Sequence, residues 1–168
     1  MEYVFSEQDR KHMAQALEEA KKASLHGDVP VGAVLIDNKT GNVLAKGPNT
    51  REVQRSVLGH AELNVLHEGC DILGDWRLTD CTLYVTLEPC PMCAGAILHA
   101  RVPRVVYGAT DPVAGAMGSV WALHAHPTRS KHIRVECGCM EEECMDVLRD
   151  FFRRRRDTAE NREGGEKA

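Results

Sequence analysis

A strand, a helix and a second strand follow one another in the middle of this chain, and this order constrains its fold most. Residues 82–86 (TLYVT) and 104–107 (RVVY) are apolar, β-prone segments of strand length. Between them, a helix is expected from Pro91 to about Ala100, because the fixed φ of proline suits the first helical position. A strand–helix–strand unit favours a parallel pair of strands. The chain is therefore expected to contain a sheet with helices packed on it.

The flanking segments extend the same alternation. Apolar positions and turn signals predict further helices at 7–25, 60–69 and 141–156, a hairpin with strands at 31–36 and 43–45, a loop at 47–59 and a short strand at 133–135. An opening hairpin followed by alternating strands and helices predicts one α/β domain over residues 1–156, with a central mixed sheet covered by helices. Residues 157–168 contain no large apolar residue and are expected to form a disordered tail.

Composition narrows the class of protein. A chain of 168 residues with 43% hydrophobic and 27% charged residues can bury an ordinary globular core. No apolar run approaches the roughly 20 residues that span a bilayer, and the first ten positions include three acidic residues, where a signal peptide would be basic and then apolar. The seven cysteines are an odd number, which argues against a disulfide framework and favours reduced thiols. We therefore expect a soluble cytoplasmic protein.

Two short motifs carry metal-binding side chains. His60 begins the motif His-Ala-Glu, and Cys90 and Cys93 lie in the motif Pro-Cys-Pro-Met-Cys. On a helix that begins at Pro91, Cys90 is the N-cap and Cys93 lies in the first turn, so both sulfurs can reach one ion near the positive helix end. One imidazole and two thiolates suit zinc, and three protein ligands leave a fourth position for water. The motifs predict one zinc per chain, held by His60, Cys90 and Cys93.

Glu62 is the candidate proton carrier. Zinc lowers the pKa of a bound water toward about 7, so hydrolysis near neutral pH still needs a group that moves protons. A carboxylate two residues from a ligand can accept a proton from that water and deliver it to a ring nitrogen or to leaving ammonia. The order H-x-E and then P-C-x-x-C is typical of zinc deaminases. A closed structural zinc site and a site without metal are the alternatives.

The chain resembles the bacterial tRNA-specific adenosine deaminase family over nearly its whole length. The motifs that carry the resemblance are DVPVGAV (28–34), HAE (60–62), YVTLEPC (84–90), MCAG (92–95), RVVYG (104–108), GAMGS (115–119) and DFFR (150–153). The resemblance implies a three-layer cytidine-deaminase-like fold and a homodimer with one zinc per subunit. It also implies hydrolytic conversion of adenosine to inosine at the wobble position, position 34, of a tRNA anticodon.

Five substrate-contacting positions follow from the same resemblance. Asn49 matches a family asparagine that contacts the target nucleoside, and Val31 and Ala61 match positions that line the base pocket. Leu87 and Asp111 match positions near the bound RNA. Without the resemblance, Val31 and Leu87 would be interpreted as ordinary core residues. Asn49 and Asp111 would be interpreted as ordinary turn residues.

An aromatic and basic segment ends the last predicted helix. A ring and a cationic cluster, which together suit unpaired RNA, are provided by Phe152, Arg153, Arg154, Arg155 and Arg156. Because the family ends similarly, we expect these residues to contact the anticodon stem-loop of a tRNA. The alternative is a solvated helix end whose arginines favour the helix dipole.

Two other functions fit the metal motifs. A free nucleobase or nucleoside deaminase, of the guanine or cytidine type, shares the motifs His-Ala-Glu and Pro-Cys-x-Met-Cys. A noncatalytic, zinc-containing RNA-binding partner would keep the ligands, but such subunits commonly lack the carboxylate that Glu62 supplies.

Overall fold

In the computed structural model, which describes residues 3–126 and 133–165, five strands and five helices alternate along the chain. The elements are α1 (Glu7–Leu25), β1 (Gly32–Asp37), β2 (Val43–Pro48), α2 (Arg51–Gln54), α3 (Ala61–Leu73), β3 (Cys81–Leu87), α4 (Pro91–His99), β4 (Arg104–Ala109), β5 (Arg134–Cys137) and α5 (Glu141–Gly165). A short 3-10 helix, Leu123–Ala125, lies between β4 and β5.

The strands form one mixed sheet in the order β2-β1-β3-β4-β5. Strand β1 is antiparallel to both β2 and β3, whereas β3, β4 and β5 are mutually parallel. The parallel step from β3 to β4 is made through α4, as the strand–helix–strand pattern predicts. The expectation of a mixed sheet is confirmed.

Helices cover both faces of this sheet. Side chains alternate between the faces along each strand. In β1, Ala33 and Leu35 pack in a cluster with residues of α3 and α4, whereas Val34 and Ile36 pack in a second cluster with residues of α1 and α5. The three-layer α/β architecture is therefore confirmed.

Strand direction gathers four chain segments at one edge of the sheet. The carboxyl ends of β3 and β4 lie there, so Leu87 and the segment that begins at Asp111 lie close together. Because β1 runs antiparallel to β3, its amino end, preceded by Val31, lies at the same edge, and so does Asn49 at the end of β2. Ligands commonly bind outside the carboxyl ends of parallel strands.

The last helix is longer than the sequence suggested. The sequence predicts a helix to about residue 156 and a disordered tail from residue 157, whereas α5 runs to Gly165; residues 166–168 lie outside the described part. Packing of Cys144 and Phe151 anchors this helix, and adding residues to an existing helix costs far less than nucleating one. The added residues include four good helix formers, an alanine, an arginine and two glutamates, and the first glycine among them is at position 164. None of the described helices is both long and apolar enough to span a membrane.

A buried ionic network ties α1 to the amino ends of the parallel strands. Arg104 donates to Asp9 at 2.8 Å and to Glu136 at 2.6 Å, and both carboxylates are buried. The Tyr84 hydroxyl also donates to Asp9, at 2.7 Å. Burial opposes ionisation of Asp9, but hydrogen bonds from Arg104, Tyr84 and Ser6 outweigh it and hold the pKa of Asp9 well below its usual range.

The variant Arg104→Met should therefore lower the free energy of unfolding by about 3 kcal/mol, because it leaves the buried Asp9 carboxylate without its cation and leaves the buried Glu136 carboxylate with Arg134 alone. The matched control is Lys21→Met, which removes an exposed pair with Glu18 and should change the free energy of unfolding much less, because water screens that pair. Asp9 stabilises the fold above its ordinary pKa and loses this contribution as the pH falls toward its lowered pKa, so the difference from wild type should shrink in acid. Urea unfolding at several pH values measures the free energies of unfolding. Equal losses in the two variants would show that the buried network stabilises the fold no more than the exposed pair does.

Candidate active site

Two helix N-termini bring three metal-ligating side chains together. His60 is the N-cap of α3, Cys90 is the N-cap of α4 with Pro91 following it, and Cys93 lies in the first turn of α4. The His60 Nδ1 atom lies 3.8 Å from the Cys90 sulfur and 3.4 Å from the Cys93 sulfur. One ligand atom from each of the three residues falls within 4.8 Å of the others.

The donor set and its spacing fit a zinc ion. Neighbouring ligand atoms on a tetrahedral zinc with sulfur and nitrogen ligands lie about 3.5 to 3.8 Å apart, which agrees with the two measured separations. Two thiolates and a neutral imidazole also balance the charge of a divalent ion. Three protein ligands are typical of catalytic zinc sites, whereas structural sites usually have four.

The neighbouring side chains favour the thiolate form of Cys90 even without a bound cation. Hydrogen bonds from Cys93 and then His60 lower the pKa of Cys90 to about 4. The hydrogen bond with Cys90, together with burial, raises the pKa of Cys93. The hydrogen bond with Cys90 also raises the pKa of His60. The three groups thus share protons that a divalent cation would displace.

Glu62 lies in the first turn of α3, two residues after His60, and is 4% exposed. Burial raises the pKa of its carboxyl to about 7, although the positive charge of His60 opposes that shift. A carboxyl with this pKa can both accept and release a proton near neutral pH. Its position and protonation suit a proton carrier beside the three ligands.

A cavity opens over His60, Glu62 and Cys90. Four of the five predicted substrate-binding residues line it, namely Val31, Asn49, Leu87 and Asp111. The fifth, Ala61, is fully buried in the core behind the cavity and is not among the described lining residues. The structure therefore brings most of the predicted set together around the metal-ligating group.

Sequence reasoning missed four further lining residues, which are Val29, Arg51, Glu88 and Ala114. Glu88 lies inside the quoted motif YVTLEPC, directly before the Pro-Cys turn, and its place in that motif was a usable signal. Arg51 lies in a segment that was expected to be a plain loop, and no local pattern distinguishes it.

The wall that carries Asn49 is held by a buried aspartate. Asp28 is completely buried, and its carboxylate accepts the Asn49 side-chain N–H at 3.3 Å. It also accepts the backbone N–H groups of Glu52 at 2.7 Å and Val53 at 3.2 Å, which belong to the first turn of α2. Asp28 thus stabilises the N-terminus of α2 from a distance, which explains why a helix forms where the sequence suggested a loop.

The basic end of α5 borders a second groove. Phe152 is half exposed and lines this groove together with Arg156, Arg149 and Thr110. Thr110 directly precedes Asp111, so the groove is adjacent along the chain to the wall of the cavity.

The other three predicted arginines of α5 lie on its exposed surface. Arg153 pairs with Asp150 at 2.9 Å, and Arg155 lies over the Phe151 ring. Arg154 is also exposed. The predicted basic segment is therefore accessible to a polyanion, although its members have different neighbours.

The class of protein follows from the fold and the cavity together. A sheet with this strand order, carrying a His/Cys/Cys group and a buried glutamate at two helix starts, is that of a deaminase with the cytidine-deaminase-like fold. A model of the MafB19-like deaminase family matches residues 7–156, which is most of the chain.

Relatives narrow this class to one family. A tRNA-specific adenosine deaminase of Bacillus subtilis is 47% identical over 146 residues, covering 87% of this chain and 89% of the relative. A tRNA-specific adenosine deaminase of Haemophilus influenzae is 45% identical over 154 residues, covering 92% and 88%. The chain belongs to the tRNA-specific adenosine deaminase family.

Solved structures agree with this assignment. A structure from a study of A-to-I editing by tRNA:A34 deaminases superposes with a TM-score of 0.78 and 41% identity, covering 82% of this chain and 99% of that chain. A guanine deaminase from Nitrosomonas europaea superposes with a TM-score of 0.71, covering 89% and 86%, but is only 22% identical and shows the shared fold alone.

Proposed function

We propose that this protein hydrolytically deaminates adenosine to inosine at the wobble position, position 34, of a tRNA anticodon. The observation that carries the proposal is the buried Glu62 carboxyl in one cavity with His60, Cys90 and residues that match the family's substrate positions. Relatives named tRNA-specific adenosine deaminase, at 45% to 47% identity, support the choice of substrate.

His60, Cys90 and Cys93 are proposed to hold one zinc ion per chain. Zinc bound there supplies a water whose pKa is low enough for nucleophilic attack near neutral pH. Cys90 and Cys93 provide negative charge at the N-terminus of α4, where the helix dipole favours it. His60 provides the neutral third ligand.

Glu62 performs the proton transfers in this proposal. The reaction adds water at C6 of the adenine ring and releases ammonia. Glu62 accepts a proton from the water, delivers one to the ring nitrogen beside C6 and assists the departure of the amino group. Burial of Glu62 supports this role, because it brings the pKa of the carboxyl to about 7.

The target nucleotide must leave the stacked loop to enter the cavity. Asn49 and Asp111 are the proposed polar contacts of the nucleoside, and Val31 and Leu87 supply apolar surface for the base. Ala61 is proposed to support the base pocket from behind. The groove at Phe152 offers a ring and cations to neighbouring nucleotides.

A substrate comparison tests the proposal. The zinc-loaded protein is incubated with an anticodon stem-loop carrying adenosine 34, and separately with free adenosine, guanine and cytidine, and inosine and ammonia are measured. We expect inosine from the stem-loop at a rate far above ammonia release from the three small molecules. Preferential deamination of guanine or cytidine would support a free-base or nucleoside deaminase instead, and no turnover on any substrate would support a noncatalytic RNA-binding role.

Replacing Arg153, Arg154, Arg155 and Arg156 by glutamine should weaken binding of the stem-loop. Each lost phosphate contact should reduce the slope of log affinity against log salt by about 0.7 to 0.9, because fewer counterions are released. Deamination at saturating RNA should change much less. Fluorescence anisotropy at several salt concentrations measures this.

A matched control comes from the opposite edge of the sheet, where Arg77 and Arg101 both lie over the Trp76 ring. Replacing these two by glutamine should leave the salt slope unchanged. If the quadruple variant keeps the wild-type slope, the arginines are a solvated helix end. If its saturated rate collapses, they act through the fold or the cavity.

We further propose a homodimer in the cytoplasm. Apolar side chains that favour a partner surface lie beside the cavity in the segment after α2, where Val57 is 70% and Leu58 is 59% exposed. The unpaired state of the seven cysteines supports a reducing compartment.

Light scattering at micromolar concentration should give twice the chain mass. The double variant Val57→Glu with Leu58→Glu should shift the protein toward the monomer, whereas Leu25→Glu, at the exposed end of α1, should not. A wild-type protein that is active and wholly monomeric across this range would refute the dimer.

A further inference from the structure

Glu88 has a buried carboxylate that accepts hydrogen bonds from a single loop. The residue is 2% exposed. Its Oε1 atom accepts the backbone N–H groups of Met117 and Ser119, each at 3.0 Å. Its Oε2 atom accepts the backbone N–H of Asp111 at 3.1 Å and the Ser119 hydroxyl. The loop of residues 110–119 therefore surrounds the carboxylate with donors, as an anion-binding nest does.

Gly115 shows how tightly this loop wraps around the carboxylate. A Cβ atom at Gly115 would lie 2.4 Å from the Glu88 Oε2 atom and 2.5 Å from the Asp111 carbonyl oxygen, closer than real Cβ atoms approach. The next residue, Ala116, donates its backbone N–H to the Pro89 carbonyl at 2.9 Å. The loop is thus hydrogen-bonded to the side chain of Glu88 and to the backbone carbonyl of Pro89.

These hydrogen bonds connect the two sides of the cavity. The loop supplies Asp111 and Ala114 to the cavity wall, whereas Pro89 is followed directly by Cys90, one of the metal-ligating residues. Glu88 lines the cavity, but all four hydrogen bonds described for its carboxylate run to the loop, so both oxygens are occupied in holding the loop.

We infer that Glu88 is a positioning residue, which holds the substrate-facing wall at Asp111 and Ala114 at a fixed distance from the metal-ligating turn at Cys90. The inference rests on the proposed function and deepens it: the fit of the target nucleotide depends on a carboxylate whose described hydrogen bonds all run to the loop.

The test uses Glu88→Gln, which keeps the side-chain volume but turns an amide N–H₂ toward at least one of the loop donors. We expect kcat/KM for the stem-loop to fall about tenfold, equivalent to about 1.4 kcal/mol, with most of the change in KM. Backbone amides in the segment 111–119 should exchange hydrogen about tenfold faster, while the zinc content stays at the wild-type value.

Two further variants keep the inference testable if Glu88→Gln does not fold. Gly115→Ala pushes the loop away from the carboxylate without altering it, and should also raise KM and amide exchange. Ser119→Ala removes only the hydroxyl contact and should have a smaller effect than either.

The inference is overturned if KM and amide exchange both stay at wild-type values in the variants that fold. It is also overturned if zinc is lost and kcat collapses while KM is unchanged, because Glu88 would then act through the metal site. An inactive wild-type protein would reject the proposed function. Hydrogen exchange in the segment 111–119 does not depend on activity, so comparing the Glu88→Gln and wild-type proteins would still test the role of Glu88.

Discussion

Glu62→Gln should retain zinc and bind the stem-loop with wild-type affinity, yet its single-turnover rate should fall by about a hundredfold to ten-thousandfold. The amide keeps the size of the side chain but cannot accept and return a proton, and general acid–base catalysis is worth about that much. Glu62 is not one of the three ligand-group residues, so metal content should be unaffected. Quenched-flow measurement of inosine under saturating enzyme tests the rate.

Glu68→Gln is the matched control, because Glu68 lies on the exposed face of the same helix. It should deaminate the stem-loop at the wild-type rate. A Glu62→Gln protein that retained the wild-type single-turnover rate would show that another group moves the protons.

The double variant Cys90→Ala with Cys93→Ala should bind no zinc, whereas the wild-type protein should bind one ion per chain. A single imidazole cannot hold the ion once both thiolates are gone, so deamination should also be lost. Metal analysis of protein purified without added chelator measures the stoichiometry.

Cys70→Ala is the control for this loss, since Cys70 is half buried near Trp76 and does not belong to the ligand group. It should keep one zinc per chain and wild-type activity. An unchanged zinc content in the double variant would overturn the ligand assignment.

Local signals in the sequence were sufficient for the elements that carry the ligands. Ser6 and Asp9 form the capping box that begins α1, and that helix spans the predicted 7–25. Pro91 occupies the start of α4, so Cys90 became the N-cap as predicted. Such signals act within one helical turn, which is why they can be detected in a single sequence.

Interactions between distant residues explain what sequence reasoning missed. Asp28 stabilises α2 across more than twenty residues, and Glu88 organises a loop that begins more than twenty residues later. Neither contact leaves a local pattern, because a buried aspartate or glutamate is usually read as an exposed charge. The cavity walls were therefore predicted in part, through the family resemblance, while the groups that hold them were not.

The end of α5 shows another limit of sequence reasoning. A charged segment without apolar residues suggested disorder, but α5 is already anchored upstream and continues through it.

Mapping inosine within a complete tRNA tests whether this protein deaminates adenosine at position 34. A tRNA transcript with adenosines at position 34 and at other positions of the anticodon loop is incubated with the zinc-loaded protein, and inosine is located by nuclease digestion and mass spectrometry. We expect inosine at position 34 alone, and none with Glu62→Gln. Inosine at other loop positions, or an unmodified tRNA in an assay where the same protein releases ammonia from guanine, would contradict it.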